Sequence, residues 1–161
     1  MKWYTLSNNK EVDLIAELSE FAHMPNIILH IGTDAQKNGK TSSDFVTVVC
    51  VHMVDECGIG RGGRVLYWKE KQVRTHSLWE KLYGETERSL RVATMLTKEF
   101  GFDVGDKILV HVDCNPNVRY ASSNYVKTLA GMVTGYGFKY ILKPDAFAAS
   151  HAADHIVKNK N

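Results

Sequence analysis

The amino-acid sequence predicts an α/β fold, a mixed five-stranded sheet flanked by helices. Three β-like segments follow one another through short links, which favours an antiparallel arrangement of these strands. Two later β-like segments are separated by helical segments, which favours parallel crossover connections. No internal repeat or linker rich in Pro, Gly or Ser divides the 161 residues. We therefore expect a single domain over residues 1–161, in which residues 1–25 form an N-terminal helical extension.

The overall composition is that of an ordinary globular protein, with 44% hydrophobic and 24% charged residues. There is no apolar run of about 20 residues and no signal-peptide pattern, so a cytoplasmic location is expected. The three cysteines include no CxxC pair, which argues against a disulfide scaffold or a cysteine-rich zinc site. A net charge of +2 is too small to indicate a nucleic-acid-binding protein by itself.

The first predicted element is a short helix. Asn8 and Glu11 match a capping box, and apolar residues recur after them at helical spacing until Met24 and Pro25. Three predicted strands follow: Ile27 to Asp34, then "DFVTVVCVHMV", then "RVLYWKEKQV". Four glycines, at positions 58, 60, 62 and 63, interrupt the link between the second and third strands.

The second half of the chain alternates helices and strands. A long helix is predicted from Ser77 to Phe100, because Gly101 supplies a stop signal. The remaining elements are the strand "KILVHVD", the helix "SSNYVKTLAGMVTGYG", the strand "FKYILKP" and the final helix "DAFAASHAADHIVK". This order completes the five strands of the predicted sheet.

Two aspartates stand at the ends of apolar strands. Asp34 follows "ILHIGT" and Asp113 follows "ILVHV". If these strands are parallel neighbours, both carboxylates emerge at the same edge of the sheet, where functional groups gather in α/β proteins. Two like charges about 4 Å apart repel by about 4 kcal/mol at an effective dielectric constant of about 20. A divalent cation between them would turn this repulsion into attraction.

A glutamate on the long helix lies where the helical pattern predicts an inward-facing residue. The predicted inward stripe contains Leu78, Leu82, Ser89, Val92, Leu96 and Phe100. Glu85 falls on this stripe, whereas most other charged residues, Glu80, Glu87, Arg88, Arg91 and Lys98, fall on the predicted solvent face. Glu85 is therefore a candidate third acid, the alternative being a side chain whose carboxylate reaches solvent at the edge of the stripe.

The final helix offers a fourth acid. Asp154 lies in a segment of small and apolar residues, beside His151 and His155. Asp145, directly before this helix, is the less favoured candidate, since aspartate is also a common N-cap residue. Four carboxylates form a hard, oxygen-rich site that suits Mg²⁺ or Mn²⁺ better than zinc. Two such ions can activate water and stabilise the leaving oxygen in phosphodiester cleavage.

Basic residues are concentrated between Gly60 and Thr75. This stretch contains Arg61, Arg64, Lys69, Lys71 and Arg74 against a single acid, Glu70. Arg61, Arg64 and Lys71 are candidate contacts to nucleic-acid phosphates, the alternative being a charged edge hairpin. Lys143, at the end of the fifth predicted strand, is a further candidate for a phosphate contact; alternatively, it pairs with Asp145.

Three other motifs fit their usual functions less well. "GIGRGG" matches a dinucleotide-binding pattern but lies between two predicted strands rather than between a strand and a helix. "HAADH" spaces His151 and His155 as zinc ligands can be spaced, but there is no obvious third ligand. A more modest role for these two histidines is proton transfer beside the metal ions. "NGKTSS" lacks the first glycine of a phosphate-binding loop.

The motifs "HIGTDAQ", "GETERSL", "HVDCNPN" and "KPDAFAASHAAD" resemble those of the YkuK-like family of predicted ribonuclease H-like proteins. The strand order and the placement of the acids are also similar to those of the wider ribonuclease H-like superfamily. The resemblance runs from about residue 27 to residue 157. It implies a nuclease that uses two Mg²⁺ or Mn²⁺ ions and whose acids are Asp34, Glu85, Asp113 and Asp154.

The predicted function is thus hydrolysis of phosphodiester bonds in RNA, DNA or a hybrid by a two-metal-ion mechanism. Asp34 and Asp113 are expected to ligate both ions, and Glu85 and Asp154 to complete their coordination. The alternative is a nucleic-acid-binding or scaffold module without catalytic activity on the same fold, since fold alone does not secure activity.

Overall fold

The computed structural model describes residues 1–146, except for the side chain of Arg61. The predicted final helix, beyond its first residues, lies outside this range. The strands are β1 (Trp3–Thr5), β2 (Glu11–Val12), β3 (Ile27–Lys37), β4 (Ser42–Val54), β5 (Gly60–Arg74), β6 (Ile108–Val112) and β7 (Lys139–Leu142). The α-helices are α1 (Leu14–Ala22), α2 (Leu78–Phe100), α3 (Phe102–Gly105) and α4 (Val126–Gly135), and a 3-10 helix (Ala121–Tyr125) precedes α4.

The sheet is mixed, as predicted, but it has seven strands rather than five, in the order β2-β1-β5-β4-β3-β6-β7. Strands β3, β4 and β5 are antiparallel, and β6 and β7 add in parallel beside β3. The five predicted strands are β3 to β7. Of the two unpredicted strands, β1 pairs with the outer edge of β5, and β2 pairs with β1. They contain only three and two residues, which is too short to show an alternating pattern.

The predicted start of the first helix is wrong. The side chain of Asp13, rather than that of Asn8, caps α1 by accepting a hydrogen bond from the Ala16 backbone N–H at 2.8 Å. Glu11 belongs to β2, where it pairs with Tyr4. Pairing with β1 thus outweighs the local capping signal, and residues 1–25 contribute two strands to the sheet as well as a helix.

Helix α2 has the predicted bounds. The Ser77 hydroxyl caps its first turn by accepting a hydrogen bond from the Glu80 N–H at 3.1 Å, and Gly101 ends it with a φ of 96°. Two side-chain assignments differ from the prediction. Leu78, the first residue of α2, is 40% exposed. Arg88 is buried: it donates hydrogen bonds to Glu70 and to the Gly84 carbonyl, with its guanidinium over the Phe45 ring.

One hydrophobic core joins the helices to one face of the sheet. It includes Leu18 of α1, Leu96 of α2 and Val133 of α4, which pack with strand residues such as Ile31 and Val110. On the opposite face, Val46 and Val48 form a second, smaller cluster. Successive side chains of a strand alternate between these two faces.

Strand β3 is longer than predicted and continues for three residues past Asp34, as far as Lys37. The sequence after Asp34 is polar and resembles a loop, but pairing with β4 keeps it extended, with Asp34 opposite Val46 and Lys37 opposite Ser43. The parallel partner β6 is much shorter: its pairing with β3 ends at Gly32 and His111. Beyond Gly32, the edge of β3 that faces β6 therefore has no pairing with that strand.

Candidate active site

Asp34 lies on the part of β3 that extends beyond β6. Its pairing with Val46 places it on the sheet face of the smaller cluster, opposite the helices. Asp113 directly follows the last residue of β6 and so reaches the same end of the sheet. Because strand β6 ends here, no strand of the described residues covers this edge of β3, and side chains from the two faces of the sheet can meet around it.

Glu85 reaches this edge from the helical face. Its Oε1 accepts a hydrogen bond from the Ala35 backbone N–H at 2.9 Å, and the residue is only 2% exposed. Ser89, one turn later on α2, contacts the Thr33 hydroxyl at 2.8 Å, and Thr33 contacts the Thr47 hydroxyl at 3.0 Å. This buried chain of hydroxyl groups ties α2 to β3 and β4 directly beside Glu85.

Three of the four predicted acids thus come together. Asp34, Glu85 and Asp113 each offer a carboxylate oxygen, and these oxygens all lie within 4.8 Å of one another. They come from a strand, a helix and the end of a second strand, so it is the packing of α2 on the sheet that brings them together. Within the part of the chain that the structure describes, the Oε2 atom of Glu85 is buried and has no hydrogen-bond partner.

Two lysines lie against the acids. The Nζ of Lys81 is 3.4 Å from Glu85 Oε1 and 4.0 Å from Asp34 Oδ1, and Lys143 forms an ion pair with Asp113. Lys143 was predicted near the site as a phosphate contact or a partner of Asp145. Lys81 was missed, although its position four residues before Glu85 on a predicted helix was a usable signal.

Burial and neighbouring like charge disfavour ionisation of Glu85 and Asp34. Burial, opposed by Lys81 and reinforced by the neighbouring carboxylates, raises the pKa of Glu85 well above its ordinary value. The pKa of Asp34 is raised chiefly by burial, against the opposing effect of Lys81. For Lys81, burial alone would lower the pKa, but the carboxylates of Glu85 and Asp34 outweigh it and raise the pKa. Lys81 is therefore a cation at neutral pH.

The donor set fits a hard divalent cation. Three carboxylates converge, and one of their oxygens is buried without a hydrogen-bond donor, an arrangement that a cation would satisfy. Cys114 adjoins Asp113 but offers no thiolate, since burial and then Asp113 raise the pKa of its thiol to about 11. The site is thus an oxygen site, which suits Mg²⁺ or Mn²⁺.

Of the two candidates for the fourth acid, only Asp145 lies within the described residues. Asp145 is exposed and is not one of the three clustered acids. Asp154 and the two histidines His151 and His155 lie outside the described residues.

The predicted basic residues are spread along β5 rather than gathered at the acids. Lys69 pairs with Val46, which pairs with Asp34, so this part of β5 lies two strand spacings, or about 10 Å, from Asp34. Lys71, two residues further along β5, is therefore at the same end of the sheet as the acids. Arg64 is level with Val51 and Leu29, about 17 Å further along the strands. There it forms an ion pair with Glu17 and lies over the Phe21 ring. Arg61 belongs to the same distant end of β5.

No helix in residues 1–146 is both long and apolar enough to cross a membrane. Comparison with known proteins gave no match to a curated protein and none to a solved structure. A family profile described as "Ribonuclease H-like" does match, over residues 12–158. The match begins before α1, earlier than the resemblance in the sequence motifs, and it includes all three clustered acids. With the mixed sheet and the acids at its edge, it shows that the chain belongs to the ribonuclease H-like family.

Proposed function

We propose that the protein is a metal-dependent nuclease that hydrolyses phosphodiester bonds of nucleic acid. The observation that carries this proposal is the meeting of Asp34, Glu85 and Asp113 around the open edge of β3, with their carboxylate oxygens within 4.8 Å. Membership of the ribonuclease H-like family supports nucleic acid as the substrate. The sequence motifs further suggest the YkuK-like branch of that family.

Each acid would have a definite task. Asp34 and Asp113 present carboxylates at the rim of the site, where they would ligate two Mg²⁺ or Mn²⁺ ions. Glu85 would hold its ligand oxygen in place because its other oxygen is anchored to the Ala35 N–H. When bound, the ions would activate the attacking water and neutralise the leaving oxygen. The protein's own contribution is to keep the carboxylates converging in a mostly buried environment, where electrostatic interactions are strong.

We propose Asp154 as the fourth acid, in preference to Asp145. Asp154 lies among small and apolar residues, where an acid is unexpected unless it has a function. Asp154→Asn should then abolish cleavage, whereas Asp145→Asn should leave it within about twofold of wild type. The opposite result would assign the role to Asp145. His151 and His155 would transfer protons beside the ions, so replacing the functional one with Gln should change the pH profile of cleavage.

The basic residues would hold the nucleic acid. Lys143 at the acids and Lys71 at the same end of the sheet are the nearest candidates, and Arg61 and Arg64 would extend the contact along β5. Lys71→Ala gives the cleanest test, because Lys71 is exposed. Each lost phosphate contact should reduce the salt dependence of binding by about one unit of slope. Arg64→Ala is less informative, since it also removes a contact to α1.

The decisive experiment is cleavage of labelled RNA, DNA and hybrid substrates with Mg²⁺, Mn²⁺ or EDTA. We expect cleavage with one or both ions and none with EDTA. Asp34→Asn should abolish cleavage while keeping substrate binding, because asparagine keeps the shape of aspartate without its charge. Glu99→Gln, which removes the charge of an exposed acid on α2 outside the cluster, is the control and should cleave like wild type.

A binding module without catalytic activity is the second candidate. The observation in its favour is that Lys81 and Lys143 already lie against the acids, so the carboxylates are largely compensated by the protein itself. If the wild-type protein binds nucleic acid but cuts none of the substrates with either ion, this second candidate is correct. Neither binding nor cleavage would reject both.

A further inference from the structure

The position of Lys81 has a consequence for metal binding. Its ammonium group lies close to two of the three acids, 3.4 Å from Oε1 of Glu85 and 4.0 Å from Oδ1 of Asp34. A divalent cation would bind oxygens of these same carboxylates, including the unpartnered Oε2 of Glu85, and an ammonium so close to them would repel it. A cation and Lys81 therefore cannot both sit at these carboxylates without strong repulsion.

Lys81 compensates the charge of Glu85, the most buried acid of the cluster. Glu85 is almost fully buried and lies within 4.8 Å of two further acids, so its charge is costly unless a cation is near. In the described part of the chain, the ammonium closest to Glu85 is that of Lys81. Lys143 differs, because the structure shows its ion pair with Asp113 and none with Glu85.

Lys81 is also able to leave. Its side chain is 30% exposed, and it is attached by a flexible four-carbon stem to the first turns of α2. The ammonium can therefore swing into solvent while the stem stays packed against the protein surface.

We propose that Lys81 is the resident counter-ion of the acid cluster, which holds the carboxylates together without metal and is displaced when a divalent cation binds. Lys81 then sets the metal affinity of the site, because every binding event must first break its two ion pairs. The inference rests on the metal site of the proposed function, but it does not require that the protein cut nucleic acid.

The test measures metal binding in the absence of nucleic acid. Titration calorimetry with Mg²⁺ and with Mn²⁺ at about pH 8, the same pH for both proteins, would compare wild type with Lys81→Met, because carboxylates bind metal in their deprotonated form. We expect about tenfold tighter binding in Lys81→Met, together with a melting temperature that is lower by about 3 °C without metal. These opposite effects on metal-free stability and metal affinity distinguish a displaced counter-ion from a residue that merely supports the fold.

Two variants serve as controls. Lys98→Met removes an exposed lysine from the same helix and should change neither quantity. Lys81→Arg keeps the positive charge and should keep the weaker, wild-type affinity. If Lys81→Met does not fold, Lys81→Gln, which has a shorter polar side chain, replaces it in the same titration.

The outcomes separate this inference from the proposed function. Equal or weaker metal binding by Lys81→Met, compared with wild type, overturns the inference alone. Binding of neither ion to any of the proteins overturns both the inference and the metal site. If affinity depends on Lys81 as expected but no substrate is cut, the inference stands and the nuclease proposal fails.

Discussion

The carboxylate of Glu85 is hydrogen-bonded to the backbone N–H of Ala35, the residue after Asp34, at 2.9 Å. This bond between residues 50 positions apart in the chain joins the long helix α2 to strand β3 at the candidate active site. The bond takes up a backbone donor that has no strand partner on that side, since β6 ends before it. Glu85 therefore has a structural role at the sheet edge in addition to its proposed role as a ligand.

This double role predicts different effects for two substitutions. Glu85→Gln keeps an oxygen acceptor for Ala35 and removes a buried charge, so the metal-free protein should be as stable as wild type or more stable. Glu85→Ala removes the acceptor and leaves a cavity, so it should be less stable than Glu85→Gln by about 1–3 kcal/mol. Urea denaturation measures both free energies of unfolding. Equal stability of the two variants would contradict the importance of the Ala35 bond.

Metal ions should stabilise the wild-type protein by binding its folded state. Mg²⁺ or Mn²⁺ should raise the melting temperature, and Asp34→Asn or Asp113→Asn should abolish this gain. Without metal, the same variants should be no less stable than wild type, since each removes one of three crowded charges. Thermal melts with and without EDTA test this. A gain of the same size in wild type and both variants would mean that the ions bind elsewhere.

Stability should fall in mild acid because of a buried histidine pair. His30 Nδ1 and His111 Nε2 are 2.9 Å apart in a hydrogen bond, and burial, followed by the nearby His52, lowers the pKa of His30 from 6.5 to about 4. The unfolded chain therefore takes up a proton at higher pH than the folded protein does. The free energy of unfolding should decrease as the pH falls from about 6.5 to about 4.

Substitution of His30 tests this origin. His30→Gln removes one titrating group and keeps a hydrogen-bonding side chain beside His111, so part of the acid-induced loss should disappear. His23→Gln, at an exposed position, is the control and should follow the wild-type profile. Urea denaturation at several pH values supplies the comparison. Superimposable profiles for His30→Gln and wild type would show that other groups cause the loss.

Two arginines of α2 should differ sharply in their contribution to stability. Arg88 is 8% exposed, lies 4.0 Å from the centre of the Phe45 ring and is hydrogen-bonded to Glu70 at 3.0 Å. Arg88→Ala should cost about 2–4 kcal/mol, because it leaves a cavity and removes the partner of Glu70. Arg91→Ala, at an exposed position paired with Glu87, should cost about 0.5 kcal/mol or less. Similar costs for both would be inconsistent with the packing of Arg88.

Two charged residues on α2, Glu85 and Arg88, show what helical periodicity in a sequence can and cannot predict about burial. Glu85 was predicted to be inward-facing because it interrupts an apolar stripe, and the structure confirms that it is buried. Arg88 was assigned to solvent by the same helical pattern, and this was wrong. Its burial depends on Phe45 and Glu70, which come from two strands far from it in sequence. A helical periodicity contains no information about such partners.

The sheet shows the same limit. Strands β3 to β7 were recognisable because each has a continuous apolar or β-branched run. Strands β1 and β2 exist because β5 offers a free edge to residues 3–5, and Glu11 and Val12 then pair with that segment. Because of this pairing, Glu11 cannot occupy the helical position of a capping box, and the N-cap of α1 is Asp13.

The sequence by itself determined the mixed α/β architecture, the long helix and the identity of the three clustered acids, because these depend on local periodicity and on charges placed where apolar residues are expected. Only the tertiary structure decided that β6 stops at Val112 while β3 continues to Lys37. That difference in length leaves the strand edge around which carboxylates from both faces of the sheet meet. The tertiary structure also placed Lys81 and Lys143 against the acids. Three buried or half-buried carboxylates at such short distances are stabilised by nearby positive charges, and the fold brings these two lysines within reach.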